Sequence, residues 1–395
     1  MAQNYDVLIV GGGLAGNCLA LELRDTGLAV AIIEANTPAQ LQASPAGERA
    51  LALAAGTVNE LEALGLWQGI STKATPIKQI HISDRGHFGK TRLSAQKENV
   101  PALGYVITAR DIETHLTEQV QQANIEQLCP ARLMGLISSD THINVSLKHH
   151  NESLNITAKL LVGADGGNSS VRQLLDIGQH CTDYGQTALV TTVKTTVPHQ
   201  NTAFERFTSS GPLALLPIAK NHCAVVWTRS HEAAESLMLG SEADFLAELQ
   251  ECFGYRLGKL SLIAPRRAFP LSLIRADTMT KGRAVIIGNA AHQLHPVAGQ
   301  GFNLGLRDVV TLARLLKETD ANHSLDIGSQ EFLRSYTNAR QKDHDLVVGF
   351  TDQIVKIFSN DWLPLAAARN IGLTLLDHLP IAKSRLTRQA MGLNK

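Results

Sequence analysis

Charge of one sign is what this 395-residue chain lacks most plainly: Lys plus Arg and Asp plus Glu stand at 36 each, and no block of like charge breaks the balance. No net basic field recommends nucleic acid as a partner, and no charged tail reads as an interaction arm. Cysteine is scarce too. The five, Cys18, Cys129, Cys181, Cys223 and Cys252, are never closer than 29 residues. That spacing excludes CxxC redox pairs and zinc knuckles, so no metal is expected, and it suits a reducing cytoplasm with each thiol a small buried apolar group. No apolar run approaches the roughly 18 residues that span a bilayer. The opening MAQNYDVLIV meets a glycine turn with no basic segment before it, so no secretory signal is expected. Repeats, low-complexity stretches and linkers are missing as well. What is left is one large domain, or two intertwined ones, whose 44% apolar content suffices for a substantial core.

What is present is glycine in three particular places. YDVLIV reads as a short buried strand ended by glycines, LAGNCLALELRDTG has helical spacing up to Gly27, and AVAIIEA reads as a second buried strand. Between strand and helix Gly11, Gly13 and Gly16 spell GxGxxG, and Glu34 closes the second strand, the order of a Rossmann-type βαβ unit. The three glycines serve in turn a tight bend, the approach of the backbone to a pyrophosphate, and close packing of helix on strand. Leu14 and Ala15 open the helix, whose N–H groups and positive dipole favour phosphate, while Glu34 can accept from a ribose. NAD and FAD share the adenosine diphosphate half, so this turn does not choose between them, and an ordinary glycine-rich α/β turn remains the plainer alternative.

Two further segments follow. LLVGADGGNSSVRQLL (160–175) is a buried strand ending in Asp165 and Gly166, then a helix from near Ser169 that carries Arg172. GRAVIIGNAAHQLHPVAGQGFNLGLRD (282–308) is another buried strand, a turn shaped by Pro296 and Gly299, and a helix with Leu304, Val309, Leu312, Ala313 and Leu316 at helical spacing. A second GxGxxG and a paired cysteine, as a disulfide reductase would need, are both missing.

The three stretches resemble the GxGxxG, DG and GD motifs of the class A flavoprotein monooxygenases, the para-hydroxybenzoate hydroxylase type, and the likeness covers the motif-bearing segments of almost the whole chain. It implies FAD as cofactor, with the first turn on the pyrophosphate, Asp165 and Gly166 near both FAD and a visiting NAD(P)H, and the third segment on ribityl and isoalloxazine. One long cofactor with two ends explains two glycine cradles. The likeness also sends Arg49 and Arg110 to the phosphate side and gives Leu133 a backbone contact to adenine; without it, the arginines are surface charges and Leu133 is core. Amides near Gly301, Phe302 and Asn303 would stabilise negative charge on the reduced ring, and Pro296 would pack along it. Asn289 departs from the aspartate usual at its position, keeping one acceptor oxygen without the charge. His292 and His295 lie close by, but spacing does not separate a proton relay from a structural role, and no catalytic base is named.

HISDRGHFG (81–89), AFERFTSSGPLALLP (203–217), PVAGQGFNLGLRD and FSNDWLPLAAARNIGLTLLDHLP (358–380) narrow the likeness to the ubiquinone-biosynthesis hydroxylases. By themselves they read as a hairpin turn, two strands about a Gly-Pro turn, and a packing helix. The resemblance implies O2- and NAD(P)H-dependent hydroxylation of a polyprenylated methoxyphenol, other ubiquinone-biosynthesis proteins as partners, and a cytoplasmic enzyme peripheral at the inner face of the cell membrane. The stretch around Ile354, Ile357, Phe358, Trp362 and Leu363 is the expected membrane surface. Hydroxylation at another ring position, prenyl-chain reduction and a non-catalytic FAD scaffold stay open. The expected fold is α/β: a Rossmann-like FAD-binding domain over 1–75, 100–185 and 270–345, an inserted β-sheet substrate layer over 76–99 and 186–269, and a helical region over 346–395.

Overall fold

Strands that bury both faces need apolar residues, and the second half of Gln3–Val10 (Val7, Leu8, Ile9, Val10), Val30–Ile33 and Ala284–Ile286 supply them. In the computed structural model, which describes residues 3–150, 152–322, 326–358 and 363–393, these strands lie in one sheet. Glu126–Leu128, Val30–Ile33, Gln3–Val10, the end of Glu152–Gly163 and Ala284–Ile286 run parallel in that spatial order. The short strand Thr280–Lys281 closes one edge, and Ala131–Ser138 with Ile143–His149 form an antiparallel flap on Glu152–Gly163. The helix Leu14–Glu22 crosses from the first strand to the second, and the long helix Gln300–Asn322 packs beside it.

A second, nine-stranded sheet is mainly antiparallel and shares the lining of one cavity with the first. It takes in Gln79–Asp84, Lys90–Ser94, Thr202–Thr208, Gly211–Ala219 and His222–Ser230, with the hairpin at 84–90 where the sequence puts it, whereas the second turn falls at Ser209 and Ser210 and the expected Gly-Pro pair, Gly211 and Pro212, opens the next strand, paired with Thr208 and Phe207. It begins earlier than residue 186, because Gln179–Thr195 pairs along its length with Arg267–Ala276. A small sheet of Ala50–Ala54, Gly104–Thr108 and Thr75–Ile77 bridges the two. Helices Gln330–Phe358, Leu363–His378 and Pro380–Ala390 end the chain. Among the described residues, no helix is long and apolar enough to cross a membrane. The cysteines divide: Cys18, Cys223 and Cys252 are buried as expected, whereas Cys129 is half-buried and Cys181 is exposed, since it lies near the free end of its strand.

One carboxylate ties the layers together. Asp308, fully buried on the helix Gln300–Asn322, accepts from the Gly288 amide (3.0 Å) and His292 Nε2 (2.9 Å) on one oxygen. Its other oxygen accepts from Arg340 Nε (2.8 Å) and His344 Nε2 (2.7 Å). Burial pushes its acidity down, but hydrogen bonds from His292 and His344 hold the carboxyl well below the usual range. A carboxyl lowered in this way stabilises the fold above its unfolded pKa and loses that contribution as pH falls. Asp308→Asn strands the buried Arg340 charge, and such losses run to about 3–5 kcal/mol. Urea denaturation at pH 7 should register a loss of that order, and the gap from wild type should narrow below about pH 4; a constant gap contradicts the assignment.

Candidate active site

The first glycine turn works by close approach. Gly11 sits at φ +107°, and a Cβ there would lie 2.5 Å from the Ala164 carbonyl oxygen, while one at Gly16 would lie 1.9 Å from the Gly11 oxygen. These two glycines are compelled by backbone crossing. Gly13 differs: a Cβ there meets nothing within 4 Å, because it faces open space. Behind the turn Glu34 accepts from the Gly12 amide through Oε2 (2.8 Å) and from the Asn36 amide through Oε1 (2.7 Å).

That open space is one cavity of about 1430 Å³, larger than the roughly 300–1,000 Å³ typical of small-molecule clefts. Gly11, Gly13, Leu14, Ala15, Glu34, Arg49, Leu133, Asp165, Gly166, Asn289, Pro296, Gly299, Gly301, Phe302 and Asn303 all line it, so folding brings together nearly every residue singled out in the sequence. Gly16 stays behind the wall as a packing residue. Arg110 is not among the lining residues: its guanidinium donates to the carbonyl oxygens of Gln42 and Ser44 and pins the segment 42–47. The Gln42 carbonyl belongs to the last turn of the helix Pro38–Ala43, where no later helical amide reaches it, and the Ser44 oxygen is shared with the Gly47 amide (3.2 Å). Arg49 does reach the cavity, its Nε donating to the Ala46 oxygen (3.0 Å). Opposite stands Glu113, whose carboxyl burial raises while Arg49 and Arg110 pull it back.

The second and third segments are held against each other. Arg172, buried, donates to the Gly167 oxygen (2.6 Å) and the Ala290 oxygen (2.8 Å), clamping the two turns. Asp165 accepts from the Val171 amide through Oδ2 (3.1 Å), and its Oδ1 is buried with no partner. Asn289 extends exposed into the cavity. Asn303 instead commits its side chain to protein: Oδ1 accepts from the Ala54 amide and the Thr57 hydroxyl, and Nδ2 donates to the Ala52 and Gly299 oxygens. Only its backbone is left to serve a ligand. The helix Gln300–Asn322 thus presents its first amides, with Gly301 open on the cavity side.

These features fit FAD. Two helix amino termini face one long chamber, the crossing at Gly13 is clear, and the orphaned Asp165 oxygen waits for a donor. The fit needs no metal. His292, Asp308 and His344 could ligate one, but the Arg340 charge already on that carboxylate opposes a cation. His295 accepts the Val297 amide through Nδ1 (3.1 Å), and burial lowers its pKa to about 4, so it is neutral near pH 7. Its edge-on neighbour is Tyr184, 5.4 Å between ring centres.

The far end of the cavity is apolar. Ile80, Ile82, Leu93, Ala203, Phe207, Ala214, Leu216 and Val226 of the large sheet form one wall. Ile354 and Phe358, both half-buried, form part of the other, with Phe358 stacked on Phe207 at 3.9 Å between ring centres. Ile357 is partly exposed, and Trp362 and the Leu363 side chain lie outside the described residues. In the sheet wall stands one carboxyl that spacing does not single out, Glu205, its strand neighbours Ile82 and Ala214 apolar. Burial raises it from 4.5 to about 7.

Family comparison identifies an FAD binding domain over residues 4–351. The ubiquinone hydroxylase UbiL of Rhodospirillum rubrum is 35% identical over 393 residues, covering 98% of this chain and 89% of that one. The 3-demethoxyubiquinol 3-hydroxylase of Escherichia coli is 31% identical over 394 residues, covering 99% of both. Among solved structures the fold matches p-nitrophenol 4-monooxygenase PnpA of Pseudomonas putida with a TM-score of 0.82 at 18% identity, over 100% of this chain and 99% of that one.

Two outcomes test the site. Gly13→Val fills the crossing and should abolish FAD binding, whereas Asn289→Asp should bind FAD at least as tightly as wild type; flavin-fluorescence titration reads both, and tight binding by the valine variant contradicts the placement. For Glu205 the sign is the reverse of Asp308: a carboxyl raised in the folded protein costs stability as pH climbs from its unfolded value through about 7. Glu205→Gln should therefore raise the melting temperature at pH 8 and leave it nearly unchanged at pH 5, and an equal effect at both removes the elevated pKa.

Proposed function

The chain belongs to the FAD binding domain family, and on that footing we propose that this FAD-dependent monooxygenase uses NAD(P)H and O2 to hydroxylate the ring of a 2-polyprenyl-6-methoxyphenol, giving the 1,4-benzoquinol used in ubiquinone synthesis. One observation carries the reading: the phosphate-facing turn, the ring-facing turn and an apolar chamber with a single sheet-borne carboxyl are continuous in one cavity. Bound FAD supplies the redox chemistry by which NAD(P)H and O2 place one oxygen atom on an electron-rich ring.

The chain's residues bind, orient and exclude water. Leu14 and Ala15 offer amides to the pyrophosphate across Gly13, with Arg49 as the nearby positive charge, Glu34 on the ribose and the Leu133 backbone at adenine. Asp165 and Gly166 hold the middle, and the Asn289 oxygen accepts a ribityl hydroxyl. The amides of Gly301, Phe302 and Asn303 face the ring, with Pro296 and Gly299 shaping its edge. Only one GxGxxG turn occurs, so the reductant visits and leaves. Glu205, poised near neutrality, accepts the phenolic proton at its carboxylate, and a phenolate is the more nucleophilic ring at the para carbon. The walls of Ile80, Leu93, Phe207 and Leu216 suit a prenyl chain, where each buried methylene is worth about 0.8 kcal/mol.

The relative from Escherichia coli acts, by its name, at ring position 3 of a demethoxyubiquinol, which supports a second reading at another ring position of the same pathway. Purified enzyme with FAD, NADPH, a short-tailed methoxyphenol and labelled dioxygen should place one labelled oxygen on the ring. Label arriving from water, or turnover without oxygen, removes the monooxygenase reading. Turnover of a demethoxyubiquinol analogue alone leaves the chemistry and replaces the substrate.

A further inference from the structure

A β-strand sends alternate side chains to opposite faces, and the wall of the reaction cavity uses both. From Gln79–Asp84 and Thr202–Thr208, Ile80, Ile82, Ala203, Glu205 and Phe207 face the cavity. His81, Ser83 and Arg206 face the other way, into a separate recess of about 310 Å³ closed by Lys90, Arg256 and the hairpin 84–89. Arg92 stands directly opposite His81 across the strand pair.

Among the residues lining the recess, the cations Lys90, Arg206 and Arg256 outnumber the one carboxylate, Asp84. Among the described residues, Lys90, Arg92, Arg206 and Arg256 make no ion pair, and the nearby carboxylates are engaged elsewhere. Asp84 is buried on Arg369 Nε (2.8 Å) and Asn370 Nδ2 (3.1 Å), and Glu251 pairs with Arg85 (2.8 Å). Arg206 Nε is buried with no acceptor. Arg256 rests against the His81 imidazole, its Nη1 2.7 Å from Nε2. Burial and the charges of Arg256 and Arg92 lower the His81 pKa to about 4, so the ring is neutral and braces Arg256 rather than adding charge. Arg256 is itself lowered by burial and then by Arg206 and Arg92. Like charges held together at a cost are relieved by a bound anion. Two planar guanidiniums, an ammonium and the Ser83 hydroxyl match the several acceptor oxygens of a phosphate group.

We propose that this recess on the reverse face of the sheet is a phosphate-binding site distinct from the FAD cavity, taking a phosphate or pyrophosphate group through Arg206, Arg256 and Lys90. The sheet stands between it and the cavity, so a nicotinamide dinucleotide anchored here does not reach the flavin ring. The group comes from a soluble phosphate or from a lipid headgroup. Phe88, 70% exposed in the lining of the recess, suits the second source, and the helix Leu363–His378, whose Asn370 accepts the Gly89 amide, exposes Ile371 and Leu375.

The test uses FAD-saturated protein, so that the cofactor's own phosphate cradle is filled. Calorimetric titration with inorganic phosphate and with pyrophosphate is run against acetate at matched ionic strength. Flotation with phosphatidylglycerol vesicles is run against phosphatidylcholine vesicles. Arg206→Gln and Arg256→Gln, checked for unchanged FAD content and melting temperature, should each weaken the preferred anion by about tenfold or more. Saturable phosphate or pyrophosphate binding lost in the variants identifies a soluble ligand, and selective flotation lost in them identifies a headgroup. Absence of both in wild type, or retention of full binding by two well-folded variants, overturns the site.

Discussion

A single buried carboxylate decides how the end of the cavity around Asn289 is built. Asp308 draws one donor from the turn at Gly288, one from His292, and two from the helix Gln330–Phe358. An isolated carboxylate in this position is prohibitively costly, so the four donors must arrive together or not at all. The turn that carries Asn289 and the helix that carries Ile354 and Phe358 are therefore set in place by the same charge. Arg172 extends the constraint, since its bonds to Gly167 and Ala290 fix the middle segment against that turn.

The nine-stranded sheet depends on this frame and divides chemistry by parity. Its cavity face carries one carboxyl, Glu205, whose paired strand neighbours Ile82 and Ala214 are apolar, and burial there raises it. Its reverse face carries Arg206 between Glu205 and Phe207 in sequence, yet in a different compartment. A one-residue register slip would bring the guanidinium into the apolar chamber and the carboxyl beside Arg256. The separation of a redox chamber from a cationic recess is thus a property of register, and it takes only one layer of backbone.

The two glycine classes in the first turn carry different meanings. Gly11 and Gly16 are glycine because backbone atoms of this chain already occupy the Cβ position, whereas at Gly13 nothing of this chain lies within 4 Å of a Cβ, so the fold itself does not require glycine there.

Much of this was legible in the residues themselves. The three glycine turns, the parallel strands, the helices that follow them and the hairpin at 84–90 are local features, set by φ, by periodicity and by the need of helix amino termini for a partner. The converging positions from Gly11 to Asn303 could be read because each belongs to such a local unit. What the tertiary structure alone decided are contacts between segments far apart in the chain. Arg110 went to the carbonyls of Gln42 and Ser44, Phe358 to Phe207, Asn303 to the strand at 52–54, and four donors to Asp308. Glu205 gave no signal because an isolated carboxyl between apolar neighbours has the same sequence pattern on an open strand as on a cavity wall. Local geometry is written in neighbouring residues, but burial and electrostatic pairing depend on which distant surfaces close around a side chain, and only the folded chain brings those surfaces together.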